Sequence, residues 1–211
     1  MIRFPSIIRS ARRLAEAADA TVETLQDGRI EQEPAYTDRM LGRIEEAMRE
    51  FRIKGVTWTA KTLTDRGPNA QAKEYGADFV GVLDIELPEY AVKKGYLAQA
   101  KIIEPGEHVS GQDWERMRLQ CDSMLRLSPG ASFLFLYLLT GTTVVPAAAV
   151  VSSAGPVNPH QFYSRRLARF FEEHFECFIG DRRIHAPAVE ALEALRREFF
   201  ARQLLYLAAR S

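Results

Sequence analysis

Cysteine is scarce in this chain, with two in 211 residues, Cys121 and Cys177. Neither belongs to a C-x-x-C pair or a Cys/His cluster, which excludes a disulfide framework and a zinc ribbon. Both thiols are expected to be free and buried among apolar neighbours in helices. An excess of one charge is equally lacking, since 28 Lys and Arg balance 28 Asp and Glu. No global basic field advertises nucleic acid, although a local basic face is compatible with neutrality. The histidines, His108, His160, His174 and His185, are dispersed without metal-ligand spacing. P-loop, glycine-rich dinucleotide fingerprint, H-E-x-x-H and G-x-S-x-G are all absent, as are repeats and low-complexity tracts.

The start, Met1-Ile2-Arg3-Phe4-Pro5, leads into an arginine-rich amphipathic stretch rather than an apolar core. No secretory leader is expected, and the cytoplasm is the expected compartment. Ser132–Val151 is uncharged and strongly apolar, but Thr140-Gly141-Thr142-Thr143 interrupts it and Pro146 follows. It reads as two buried strands, Phe133–Leu139 and Thr142–Val151, rather than a membrane span.

What is present describes a globular protein, 46% hydrophobic and 27% charged, long enough for a single domain over residues 1–211. Ile7–Leu25 has helical periodicity. A second helix runs from an N-cap at Thr37 to Phe51, with Met40, Leu41, Ile44 and Met48 on its apolar face. Strand Val56–Leu63 follows, then a loop at Asp65-Arg66-Gly67-Pro68-Asn69. A helix is expected over Gln112–Leu127, and two more over His160–Ile179 and Pro187–Ala209. The aromatic-rich faces of that last pair need a partner surface, which points to assembly.

The chemistry concentrates in the middle. Asp78–Leu87 and Gly95–Ile103 read as strands of one hairpin, joined by the turn Pro88–Lys94. Folded about Glu89–Tyr90, the hairpin sets Asp78 opposite Lys101 and Val80 opposite Gln99, with facing Cβ atoms about 5 Å apart. A carboxylate, an amide oxygen and a lysine then converge, the minimum set for holding Mg²⁺ and activating a water against a phosphodiester. Asp84 and Glu86 share that face, but they lie roughly 20 Å or more along the strand, near the tip, where salt-bridged or solvated roles are expected. Plain alternatives stand beside the chemical ones. Asp78 fits a turn cap, Gln99 a structural hydrogen-bonder, and Lys101 a salt-bridged lysine.

Asp followed by Gln-x-Lys on the next strand resembles the PD-(D/E)xK nuclease superfamily. The variant is the one in which Gln replaces the second acid, as in Mrr-like restriction endonucleases. The resemblance spans roughly Thr37–Val151 and includes the element order, α-β-β-β-α-β-β; no proline precedes Asp78. It implies an α/β, restriction-endonuclease-like fold: an α-β-β-β-α-β core with a mixed sheet over residues 37–151, and helical additions over 1–30 and 158–211. It implies Mg²⁺, with Mn²⁺ as a substitute, held by Asp78, Gln99, the carbonyl of Ala100 and an acid of the preceding helix. Glu45, which borders that helix's apolar face, is the candidate acid. Lys101 would polarise the attacking water or steady the phosphate, and Gln120 would be a polar neighbour of the site. The implied function is a metal-dependent DNA endonuclease of restriction or anti-phage defence. It would work as a homodimer or with a separate recognition or activating subunit. The rival expectation is a catalytically inactive nuclease-fold module that binds nucleic acid or protein partners. RNA and branched DNA are substrates that the core chemistry does not distinguish.

Overall fold

The computed structural model describes residues 5–29, 32–64 and 77–211. Gly76 and the expected loop Asp65–Asn69 lie outside them. Helices α1 (Pro5–Asp19), α2 (Val22–Gln26) and α3 (Glu33–Met48) come first, followed by strands β1 (Arg52–Ile53), β2 (Val56–Thr64), β3 (Phe79–Leu87) and β4 (Tyr90–Ile102). Helix α4 (Gly111–Leu127) leads to β5 (Ser132–Leu138), β6 (Gly141–Pro146) and α5 (Ala147–Val151). The chain ends with β7 (Arg165–Arg166), α6 (Leu167–Phe175), α7 (Leu192–Glu198) and β8 (Gln203–Arg210). The eight strands form one sheet in the order β1-β2-β8-β3-β4-β5-β6-β7. It is mixed, because β3 with β8 and β4 with β5 are parallel while the other neighbours are antiparallel. The α/β class with a mixed sheet is therefore as expected.

Two apolar layers flank the sheet, set by the alternation of side chains along each strand. Phe79, Leu83, Tyr96, Ala98, Phe135 and Tyr137 face α1, α3 and α6. Val80, Val82, Leu97, Leu134 and Leu136 face α4, α5 and α7. Gln99 and Lys101 follow Leu97 at steps of two, and Asp78 precedes Val80 likewise, so all three belong to the α4 side. Helix α4 begins where Ser110 accepts a hydrogen bond from the Asp113 amide at 3.1 Å, a side-chain N-cap.

Several expectations are corrected. The hairpin turns at Pro88–Glu89, with Leu87 paired to Tyr90 and Phe79 to Ala98, so the register is shifted by two residues. A shift of two keeps every side chain on its expected face, and Asp78 comes beside Gln99 rather than Lys101. Thr37 is an interior residue of α3, buried, with its hydroxyl on the Glu33 carbonyl at 2.9 Å. Ile7–Leu25 is divided between α1 and α2, and the tail of the expected strand Thr142–Val151 is α5.

The largest correction is at the end of the chain. Pro187–Ala209 is not one helix, because Gln203–Arg210 forms β8 and inserts between β2 and β3 in the middle of the sheet. An apolar run buried on both faces shows no alternation, so its pattern does not separate strand from helix. The expected helix His160–Ile179 is reduced to α6. Phe170, Phe171, Phe175, Leu192, Leu195, Phe199 and Leu204 are all buried within the chain, which removes the exposed aromatic faces that pointed to assembly. Cys121 is buried as expected, whereas Cys177 is exposed; both are free. Among the described residues, no helix is long and apolar enough to cross a membrane.

Candidate functional site

Asp78 stands immediately before β3, where the starts of β3 and β8 and the end of β4 meet. Its backbone carbonyl accepts the Gln203 amide at 3.0 Å, and the neighbouring Ala77 carbonyl accepts the Arg202 amide at 3.2 Å. The side chain turns toward β4. Asp78 Oδ2 accepts the Ala100 backbone N–H at 2.7 Å and a short hydrogen bond from the Gln99 side-chain amide. Burial dominates its electrostatics and raises its pKa from 3.8 to about 6. The Ala100 N–H and the charges of Lys101 and Arg202 favour the ionised form, while the charge of Glu33 opposes it.

Gln99 is 2% exposed. Its NH₂ end is committed to Asp78, and its Oε1 is buried with no hydrogen-bond partner among the described residues. Buried polar atoms without partners are uncommon and costly, so this oxygen is set to receive a cation or a donor. Lys101 has a side chain only 12% exposed, too withdrawn for an ordinary surface lysine, and its ammonium lies 3.3 Å from Glu33 Oε2. Glu33 Oε1 also accepts the Ile102 amide at 3.4 Å.

Glu33 was not a sequence candidate. It opens α3 and is followed by Pro34, a residue suited to the first turn of a helix, where an acidic side chain is also favoured by the dipole. That pairing of proline with an acid was the available signal. Glu45, the expected acid of this helix, is not brought to the cluster. It lies twelve residues further along α3, roughly 18 Å at the helical rise. There its Oε2 accepts the Thr62 amide at 3.0 Å and the Thr62 hydroxyl, and its Oε1 meets Arg49 at 3.4 Å. Glu45 thus ties α3 to β2. Gln120 lies on α4, which packs on the Gln99 face, and its Oε1 is buried without a partner among the described residues. The neighbouring Cys121 thiol, pushed up to about 12 by burial, feels the Lys101 charge. Asp84 is buried far along β3, held by Tyr206 at 3.0 Å and Arg210 at 2.9 Å, and Glu86 meets Arg210 at 3.8 Å.

A cavity of about 210 Å³ opens beside Lys101, lined by Glu33, Ile102, His108, Asp113 and Arg116 among others. It joins both signs of charge and reaches the Lys101–Glu33 side of the cluster.

Among the described residues, no three or more His, Cys, Asp or Glu side chains are grouped to hold a metal ion. The donors present still suit one hard cation. Mg²⁺ needs only one or two carboxylates from a protein and completes its shell with water and substrate phosphate. The carboxylates of Asp78 and nearby Glu33, and the Gln99 oxygen, which has no partner among the described residues, are hard oxygen donors of this kind. Comparison with protein-family models, curated proteins and solved structures finds no match for the chain.

Proposed function

We propose that the chain is a metal-dependent nuclease that hydrolyses DNA phosphodiester bonds at the Asp78–Gln99–Lys101 cluster, as the PD-(D/E)xK resemblance implies. One observation supports this reading above the others: on Gln99, a buried amide oxygen with no partner among the described residues, beside a carboxylate and a withdrawn lysine at one end of the sheet. Asp78 and Gln99 would hold Mg²⁺, with Glu33 as the acid contributed by the preceding helix. The bound ion supplies Lewis acidity and a water that is easier to deprotonate. Lys101 Nζ, held near Glu33, presents a compact cation to the attacking water or the phosphoryl oxygens, where negative charge accumulates. The cavity beside it gives the scissile segment room to approach. Restriction or anti-phage defence is the setting that this family resemblance suggests.

A second reading has its own support. Lys101 is already paired to Glu33 and Gln99 to Asp78, so the cluster also fits an inert polar tie in a catalytically inactive module that binds nucleic acid or protein. Supercoiled plasmid and a labelled oligonucleotide incubated with Mg²⁺ or Mn²⁺ separate the two. The nuclease reading expects cleavage that EDTA abolishes and little cleavage in Ca²⁺, whose looser coordination does not reproduce the octahedral site. Cleavage that persists in chelator, or none with either metal, refutes it.

A further inference from the structure

Phe200 is a residue that neither the backbone nor the core asks for. It follows the C-terminus of α7 with φ +51°, the left-handed region. Its amide bonds to the Arg197 carbonyl at 3.1 Å, and the Ala201 amide to the Arg196 carbonyl at 3.0 Å, closing the helix end. Glycine is the usual residue at such a position, and a bulky side chain there is strained. The ring gains little burial in exchange, being 52% exposed. Strain retained without a packing gain is the kind of feature that concentrates at binding sites.

The location gives the strain a meaning. Two residues on, the Arg202 and Gln203 amides bond to the Ala77 and Asp78 carbonyls, so the Phe200 turn adjoins the segment that carries Asp78. Arg202 Nε is buried with no hydrogen-bond partner among the described residues. Strands β8 and β4 flank β3 on its two sides, which separates the Arg202 and Lys101 ends by two inter-strand spacings, roughly 10 Å. The Arg202 charge acts on Asp78, and the exposed Phe200 stands two residues before Arg202, so both belong to the end of the sheet that carries the proposed hydrolytic cluster.

We propose that Phe200 and Arg202 form a docking lip for an unpaired nucleotide beside the scissile phosphate, which makes single-stranded DNA the substrate class. This rests on the nuclease reading above. The Phe200 ring stacks on the base, and the Arg202 guanidinium meets the adjoining phosphate. A base inside a duplex has no free face to offer such a ring. A chain without excess positive charge is also poorly matched to the charge density of a duplex.

The test uses the full chain and an oligothymidylate, single-stranded or annealed to its complement, with binding read by fluorescence anisotropy at one fixed salt concentration in Ca²⁺. Phe200→Gly should bind the single strand about tenfold more weakly, the order expected for loss of one stack. Its duplex binding should be unchanged and its thermal midpoint equal or higher, because glycine relieves the strain. Phe200→Trp should keep the affinity and show an added indole emission that the single strand quenches. Equal single-strand binding by wild type and Phe200→Gly, or an emission from the Phe200→Trp protein that the oligonucleotide leaves unchanged, overturns the proposal. Such a result alongside metal-dependent cleavage rejects the lip alone. An intact Phe200 contrast without cleavage in any metal supports the lip and rejects the nuclease reading.

Discussion

Acid should unfold this protein largely through His174, and the effect can be worked out from its surroundings. The imidazole is 1% exposed, edge-on to Tyr96 with ring centroids 5.0 Å apart and stacked on Phe170. Its Nδ1–H donates to the Ile179 carbonyl at 3.2 Å, the same oxygen that Lys94 Nζ reaches at 2.7 Å. Burial, then the charge of Lys94, lowers its pKa from 6.5 to about 3. In the folded state the ring stays neutral down to that value, whereas in the unfolded chain it takes up a proton below pH 6.5. The unfolded state binds more protons across the window, so stability is lost as pH falls, by up to about 1.4 kcal/mol per pH unit. Over the whole window the loss is on the order of 5 kcal/mol, a large part of the roughly 5–15 kcal/mol that holds a domain together. His174→Gln keeps a donor for Ile179 and removes the titration. Urea unfolding followed by circular dichroism at stepped pH from neutral to about 4 should show a shallower fall for the variant, converging on or crossing the wild-type curve in acid. Parallel curves would refute the reasoning.

Lys94 is 2% exposed, and burial lowers its pKa from 10.5 to about 8. At pH 7 it is charged in both states and carries the full cost of burial, which fades between pH 8 and 10.5 as the folded state gives up its proton first. Lys94→Met should therefore stabilise by about 1–3 kcal/mol at pH 7, with a smaller gain near pH 10; a loss in chemical denaturation would show that the bond to Ile179 outweighs the burial. Gly95→Ala should destabilise by several kcal/mol, because an added Cβ would sit 2.5 Å from both the Gly81 carbonyl oxygen and Ile184 Cγ2. An unchanged thermal midpoint would contradict this close packing of the hairpin.

The hairpin could be read because its strands are long and its turn opens with proline. The two-residue error in register arose because Tyr90–Lys94, polar enough to resemble a loop, stay in β4. Asp78, Gln99 and Lys101 survived that error because side-chain period is two. β8 was hidden for the opposite reason. Seven of its eight positions are buried, and neither glycine nor proline separates it from α7. Glu33 was missed because Thr37 offers a stronger cap signal than Gln32, the residue that precedes the helix. No sequence pattern shows that Gln99 Oε1 is buried without a partner among the described residues, since that depends on how β3, β4 and α4 close around it.

The measurement that tests the central claim most directly is single-turnover cleavage of a labelled DNA strand in Mg²⁺ by wild type, Asp78→Asn, Lys101→Ala, Glu45→Gln and Asp84→Asn, each checked for folding by circular dichroism. If the cluster at the end of β3 and β4 performs the hydrolysis, Asp78→Asn and Lys101→Ala should each lose on the order of 10³-fold in rate. Glu45→Gln and Asp84→Asn, which alter acids bound elsewhere, should retain most of it. Full activity in Asp78→Asn or Lys101→Ala, or its loss only in Asp84→Asn, would contradict the account.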